Sequence, residues 1–312
     1  MLGVDDPLIP QFHKEDPHSG VTVTEHSHHD TYDAINPRKL DLAGKSVFLT
    51  GASRGIGASI AVAYARAGVS FIALAARGSM DETVAAVTKA AQDAGRPVPT
   101  LLPLKMDASD PASVQAAADT TKALLGGKPL DILINNAAVL EPNATVHESK
   151  PEDWWFTFEI NLKGVYLVCR AMIPLLLGKE GQPRGGRMII NVTSQGAILV
   201  IHGMSAYNTS KLAVCRLTEC LAYEYKDAGI TAISIHPGGV MSDMSMALPK
   251  DLHEKVITDT AELVSDTIVY LMREPQGWLN GRYVSVLWDM PELEARRDEI
   301  VSRDLLKSKF IG

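Results

Sequence analysis

The stretch Ser46-Val47-Phe48-Leu49-Thr50-Gly51-Ala52-Ser53-Arg54-Gly55-Ile56-Gly57 is an apolar run that breaks abruptly into glycine. Residues 46–50 have the length and character of a buried strand, and the Ala-rich residues 57–67 read as a helix. Glycines at a strand-to-helix turn let the backbone approach a pyrophosphate, whose charge is then held by the amides and dipole of the helix amino terminus. The spacing is Gly-x-x-x-Gly-x-Gly, which differs from the Gly-x-Gly-x-x-Gly fingerprint. A glycine-rich turn alone can be purely structural; placed after a first strand and before a helix, it favours phosphate binding.

Outward from this turn, strand and helix alternate. Residues 70–75 read as a second strand and 80–94 as a helix. Further strands are expected at 100–105, 131–135, 187–193, 231–236 and 283–287, with helical stretches between them. Repeated βα units build a doubly wound parallel sheet covered by helices on both faces. The Pro/Gly-rich residues 178–186 interrupt the rhythm only briefly and read as a surface loop. The expectation is an α/β protein with one domain over residues 41–290 and a helical tail of the same domain over 291–312. Residues 1–40 mix Pro, Asp, Thr and five histidines with little apolar periodicity, and are expected to form an extended or partly ordered arm. Its His28-His29 pair could bind a metal, but no Cys or carboxylate framework in the sequence fixes a geometry around it.

The second strand ends at Ala75-Ala76-Arg77, where an NAD enzyme would place an acid to bind the ribose hydroxyls. No acid stands there. Arg77 can pair with a 2′-phosphate and Arg54 can approach it from the other side, which favours NADP. The competing reading is a solvated strand-end arginine, with Asp81 four residues on as its local partner.

A second informative stretch contains Ser194, Tyr207 and Lys211. If residues 206–225 are helical, Tyr207 and Lys211 lie one turn apart on one face, and the ammonium can sit near the phenol. A cation there, with the positive end of a helix beginning close by, would lower the phenol pKa towards neutrality.

At 312 residues and 46% hydrophobic content the chain can bury a sizeable core. The net charge of −7, with scattered Lys and Arg, gives no footprint for nucleic acid. Cys169, Cys215 and Cys220 lack metal-ligand spacing and read as buried free thiols of a reducing compartment. The acidic amino terminus lacks the regions of a signal peptide, and the apolar run at 168–177 carries Arg170 and is too short to span a bilayer. A soluble, cytoplasmic protein without membrane or nucleic-acid partners is expected.

Taken in order, residues 50–57, Asp107 after the third strand, Asn135-Asn136-Ala137-Ala138 after the fourth, Asn161, Ser194, Tyr207, Lys211 and Pro237-Gly238 after the sixth form a specific pattern. Over roughly residues 40–289 the chain resembles the short-chain dehydrogenase/reductase family, in its classical subgroup, and is similar to fungal members. The resemblance implies a Rossmann-type sheet and an NADP-dependent oxidoreductase. In it Tyr207 would protonate the substrate oxygen as hydride arrives. Lys211 would lower the Tyr207 pKa and hold the nicotinamide ribose, Ser194 would polarise the carbonyl, and Asn161 would hold a water joining Lys211 to solvent. Gly51, Ser53, Arg54, Gly55, Ile56, Gly57, Arg77, Asp107, Asn136, Ala137, Pro237, Gly238, Val240 and Ser242 would join Tyr207 and Lys211 around the cofactor.

Ser242 stands where the family usually has Thr, and residues 241–260 are short for a substrate-covering segment. The usual Asp-Gly-Gly near the last strand appears as Trp288-Asp289-Met290, followed by a charged helical tail. A homodimer or homotetramer is implied, with the tail able to cover or replace an interface. Leu140, Glu141, Gln195, His202, Met204, Met244 and Met246 are expected near the substrate, an adaptable wall suited to a medium-sized hydrophobic ketone or secondary alcohol. NAD-dependent oxidation, another nicotinamide-assisted reaction, and a non-catalytic dinucleotide sensor or scaffold remain alternatives.

Overall fold

The computed structural model describes residues 23–178, 186–248 and 250–309. Seven parallel strands form one sheet in the order β3-β2-β1-β4-β5-β6-β7. They are β1 (Ser46–Thr50), β2 (Phe71–Ala76), β3 (Thr100–Lys105), β4 (Ile132–Asn135), β5 (Met188–Val192), β6 (Thr231–His236) and β7 (Tyr283–Ser285). The helices are α1 (Gly55–Arg66), α2 (Asp81–Asp93), α3 (Pro111–Leu124), α4 (Pro151–Phe158), α5 (Val165–Leu177), α6 (Ser205–Glu224), α7 (Asp243–Met246), α8 (Lys250–Val256), α9 (Ala261–Leu271), α10 (Met290–Ala295) and α11 (Arg297–Ser302).

Successive strand residues point to opposite faces, and both faces here are apolar. Val47, Leu49, Ile132 and Ile134 pack with Ile60 of α1, Val87 of α2 and Ile268 of α9. Phe48 and Leu133 point the other way, towards Val114 of α3, Met172 of α5 and Val214 of α6. The strand order reverses direction between β1 and β4, so the loops after these two strands diverge and leave a crevice at their carboxyl ends.

Residues 151–177 are continuously helical, and are long and apolar enough to cross a membrane. Val168, Met172 and Leu176 of this run are instead packed into the core beside the sheet. Between α4 and α5 the run passes through a π-helical turn, Glu159–Gly164, which interrupts the α-helical register.

Helix α1 begins at Gly55, two residues before the expected start, so the last glycines lie within its first turn. The loop expected at 178–186 falls mainly on residues 179–185, outside the described residues. Of the three free thiols, Cys169 and Cys215 are buried, but Cys220 is exposed on α6.

Part of the expected arm is docked. Residues 23–40 lie against the body, with Ile35 fully buried in the core. Tyr32 stacks on His28 and its hydroxyl accepts from Met290 N–H at 2.8 Å. Thr31 Oγ1 donates to Asp266 Oδ2 of α9 at 2.6 Å, and His26 bonds Glu292 of α10. The low apolar content that suggested an extended arm is offset here by polar anchors. Residues 1–22 of the expected arm lie outside the described residues. At the other end, the tail folds back so that Tyr283 N–H of β7 donates to Leu306 O at 2.8 Å, and Arg282 binds Asp304 at 2.9 Å.

Candidate active site

The crevice after β1 is framed by the glycine turn. A side chain at Gly57 would place its Cβ 2.1 Å from Gly51 O, so the chain doubles back too tightly there for anything but glycine. Asn136, just after β4, locks this turn by donating from Nδ2 to Thr50 O at 3.1 Å and Gly51 O at 3.2 Å. Thr50 Oγ1 in turn accepts from Asn136 N–H and Ala137 N–H at 3.0 and 3.1 Å. From α2, Thr83 Oγ1 donates to Ala52 O at 3.0 Å and to Ser53 O at 3.3 Å. The amino terminus of α1 has no side-chain cap, so its first amides are open to an anion. This combination of a tight glycine cradle and uncapped amides fits a pyrophosphate.

Arg77 is exposed at the end of β2, and among the described residues it has no ion pair; Asp81 instead pairs with Ser79. Arg54 is also exposed and lies 3.2 Å from Asp243. Asp107 accepts from Ser109 N–H and Oγ at 2.9 and 2.7 Å, and these bonds, with a smaller contribution from Arg77, hold its carboxyl below the usual range.

Across the crevice, β5 ends beside α6. Ser194 bonds the Tyr207 phenol, and its Oγ accepts from Gly196 N–H at 3.1 Å. Lys211 Nζ lies 5.6 Å from the Tyr207 ring centroid and donates to Val192 O at 3.0 Å. Burial pushes the Tyr207 phenol up, the Ser194 bond acts against that, and the charge of Glu141 adds to it. The phenol therefore lies above its ordinary value, against the lowering expected from Lys211. Burial also brings the Lys211 ammonium down to about 8, so it remains mostly charged at neutral pH.

The buried Asn161 sits on the π turn. Its Oδ1 accepts from Val139 N–H at 2.9 Å, while Nδ2 donates to Val139 O at 2.9 Å and Ser210 Oγ at 3.2 Å. This side chain clamps the loop after β4 to α6.

Pro237, Gly238 and Val240 follow β6, and the loop they begin reaches the glycine turn at Ser242, whose Cβ lies 4.0 Å from a Cβ placed on Gly55. The Ser242 hydroxyl caps α7, accepting from Ser245 N–H at 3.1 Å. Ile56 is half-buried in the first turn of α1. Among the expected substrate residues, Leu140, Gln195 and Met244 are half-buried, whereas Met204 is buried at the start of α6 and Met246 is exposed. His202 is exposed and lines a groove of about 440 Å³ with Val146, Ile198 and Leu212. Glu141 has a role that sequence reasoning missed: both carboxylate oxygens accept from Tyr207 N–H, at 3.0 and 3.1 Å. Only the position of Glu141 after the Asn-Asn turn hinted that it lies near the site.

A glycine cradle at the crevice of a parallel sheet, facing a Ser-Tyr-Lys group, defines an oxidoreductase that works with a nicotinamide dinucleotide. The sequence pattern described as short chain dehydrogenase matches residues 45–253, and the chain belongs to the short-chain dehydrogenase family. The short chain dehydrogenase citE of Monascus ruber is 46% identical over 295 residues, covering 95% of this chain and 98% of that protein. The short chain dehydrogenase pigC of the same species is 44% identical over 292 residues, covering 93% and 94%. Among solved structures, carveol dehydrogenase from Mycobacterium avium in complex with NAD shares the fold, with a TM-score of 0.69 and 23% identity over 80% of this chain and 98% of that one.

Proposed function

We propose that the protein is an NADP(H)-dependent reductase that interconverts a ketone and a secondary alcohol on a medium-sized hydrophobic substrate of the secondary-metabolite type. The observation that carries this reading is the Ser194, Tyr207 and Lys211 group on one side of the crevice, opposite the glycine cradle. Bound NADPH supplies the hydride. Ser194 donates to the carbonyl oxygen, and Tyr207, protonated because burial raises its pKa, delivers the proton to that oxygen. Lys211 places a positive charge behind the phenol, which favours the tyrosinate left after transfer. The apolar groove beside His202 is suited to the body of the substrate.

The preference for NADP rests on the exposed Arg77, unpaired among the described residues, at a strand end without an acid. Titration of the protein with NADPH and NADH tests it. NADPH is expected to bind at least tenfold more tightly, and Arg77→Ala to remove most of that difference; equal or tighter binding of NADH rejects the reading. A homodimer or homotetramer fits the exposed Trp155, Phe156, Tyr166, Leu212 and Tyr223 on α4, α5 and α6, and sedimentation would distinguish either from a monomer.

A further inference from the structure

Asp259 joins parts of the chain that are remote in sequence. It is buried just before α9 and forms an isolated parallel bridge with Val240. Its Oδ2 accepts from Gly239 N–H at 2.6 Å, and its own N–H donates to Gly239 O at 3.0 Å. Its Oδ1 meets His29 Nδ1 at 2.5 Å and accepts from Thr258 Oγ1 at 3.1 Å. The next residue strengthens the link to the amino-terminal strap: Thr260 N–H donates to His29 O at 3.0 Å, and its hydroxyl donates to Asp30 at 2.8 Å.

These bonds bear on the crevice because of where Gly239 lies. A Cβ at that position would fall 1.4 Å from Val256 O, so the loop backbone is pressed against residues 256–259. On its other side the same loop reaches the glycine turn, through Ser242 opposite Gly55 and Asp243 beside Arg54. The carboxylate is not needed to cap α9, since Thr260 Oγ1 accepts from Leu263 N–H at 3.2 Å. Nor is His29 needed to dock the strap, which is also held by the His28–Asp289 pair at 2.9 Å, the Thr31–Asp266 bond and buried Ile35.

We infer that Asp259 is a positioning residue for the dinucleotide: it sets the loop of residues 238–240 that walls the crevice, and His29 of the strap holds Asp259 in place. This rests on the reading of the crevice as the dinucleotide site. The role belongs to Asp259 because a charged acceptor fixes a loop amide more firmly than a neutral contact would.

The test uses the full-length chain carrying Asp259→Ala, Asp259→Asn, His29→Ala, or His29→Ala with Asp259→Ala. Dissociation constants for NADPH and NADH are measured, together with hydrogen exchange at the Gly239 amide in ligand-free protein. Asp259→Ala should raise both dissociation constants by about tenfold and speed Gly239 exchange by a similar factor, the scale of losing one charged hydrogen bond. Asp259→Asn, which keeps an acceptor for Gly239 but not its charge, should recover only part of both losses. His29→Ala should weaken binding by about threefold, and the double variant should be no worse than Asp259→Ala alone, since coupled residues are not additive. Wild-type affinity and Gly239 protection in folded Asp259→Ala would overturn the proposal. If that variant does not fold, wild-type affinity and protection in His29→Ala would overturn it. If wild-type protein binds neither dinucleotide, the reading of the crevice fails, while Gly239 exchange still decides whether Asp259 sets the loop.

Discussion

At Tyr207, influences of opposite sign meet on one phenol. Burial and the Glu141 carboxylate favour the neutral form, and the Ser194 bond favours the ionised one. Tyr207→Phe removes the transferable proton and little else, so turnover of a ketone substrate should fall by about 10² to 10⁴-fold with the NADPH dissociation constant unchanged. Steady-state rates and cofactor titration check both halves. Glu141→Gln keeps an acceptor for Tyr207 N–H but removes the charge. The ionisation of Tyr207 in the pH–rate profile should then move to lower pH; an unmoved profile would limit Glu141 to a backbone anchor. Ser194, Tyr207 and Lys211 were legible because their spacing lies within one strand end and one helix. Glu141 and Asp259 were not, because each acts on a backbone amide of another segment, and nothing in their local sequence names that partner.

At the scale of elements, α9 and β6 carry two buried groups with opposed titrations. Burial raises Asp266 of α9 to about 6. The folded state therefore holds that proton more tightly than the unfolded one, so its contribution to stability is complete below about 3.9 and is lost as pH rises through about 6. Burial lowers His236 of β6 to about 4. Its contribution is complete above about 6.5 and is lost as pH falls through about 4. Across the shared window the two slopes offset each other. Asp266→Asn, with its amide oxygen still able to accept from Thr31, should stabilise the protein at pH 7 by roughly 2 to 3 kcal/mol. It should also expose a steeper loss of stability between pH 6 and 4 than the wild type shows, as read by denaturant unfolding at each pH. The strands and helices themselves were readable from apolar periodicity, to within a residue or two at most ends. The π turn at Asn161 was not legible, because a single extra residue in a helical turn leaves no compositional trace.

At the scale of the whole molecule, the sheet was more legible than the ends of the chain. A buried parallel strand announces itself by its own composition, whereas the strap is fixed by single polar anchors to residues more than 200 positions away. A chain beginning at Val23 keeps every one of these anchors. One beginning at Pro37 loses Tyr32 and the fully buried Ile35, and removing a side chain like Ile35 alone costs about 2 to 5 kcal/mol. Thermal unfolding of the two truncated chains checks this; equal midpoints would show that the strap lies on the surface without contributing to stability.

The carboxyl-terminal fold-back has a consequence of another kind. β7 is the last strand of the sheet, and an open last strand offers a row of unpaired amides on which a neighbouring chain can build. Leu306 O occupies the amide of Tyr283, and Asp304 and Leu305 hold Arg282 beside it. The opposite border, β3, carries Pro103, which has no amide to offer, and the exposed Lys105. Proteolytic loss of the last residues would thus do more than remove contacts: it would uncover a template for intermolecular strand addition, and the clipped protein would be expected to assemble into β-rich aggregates while its crevice was still intact.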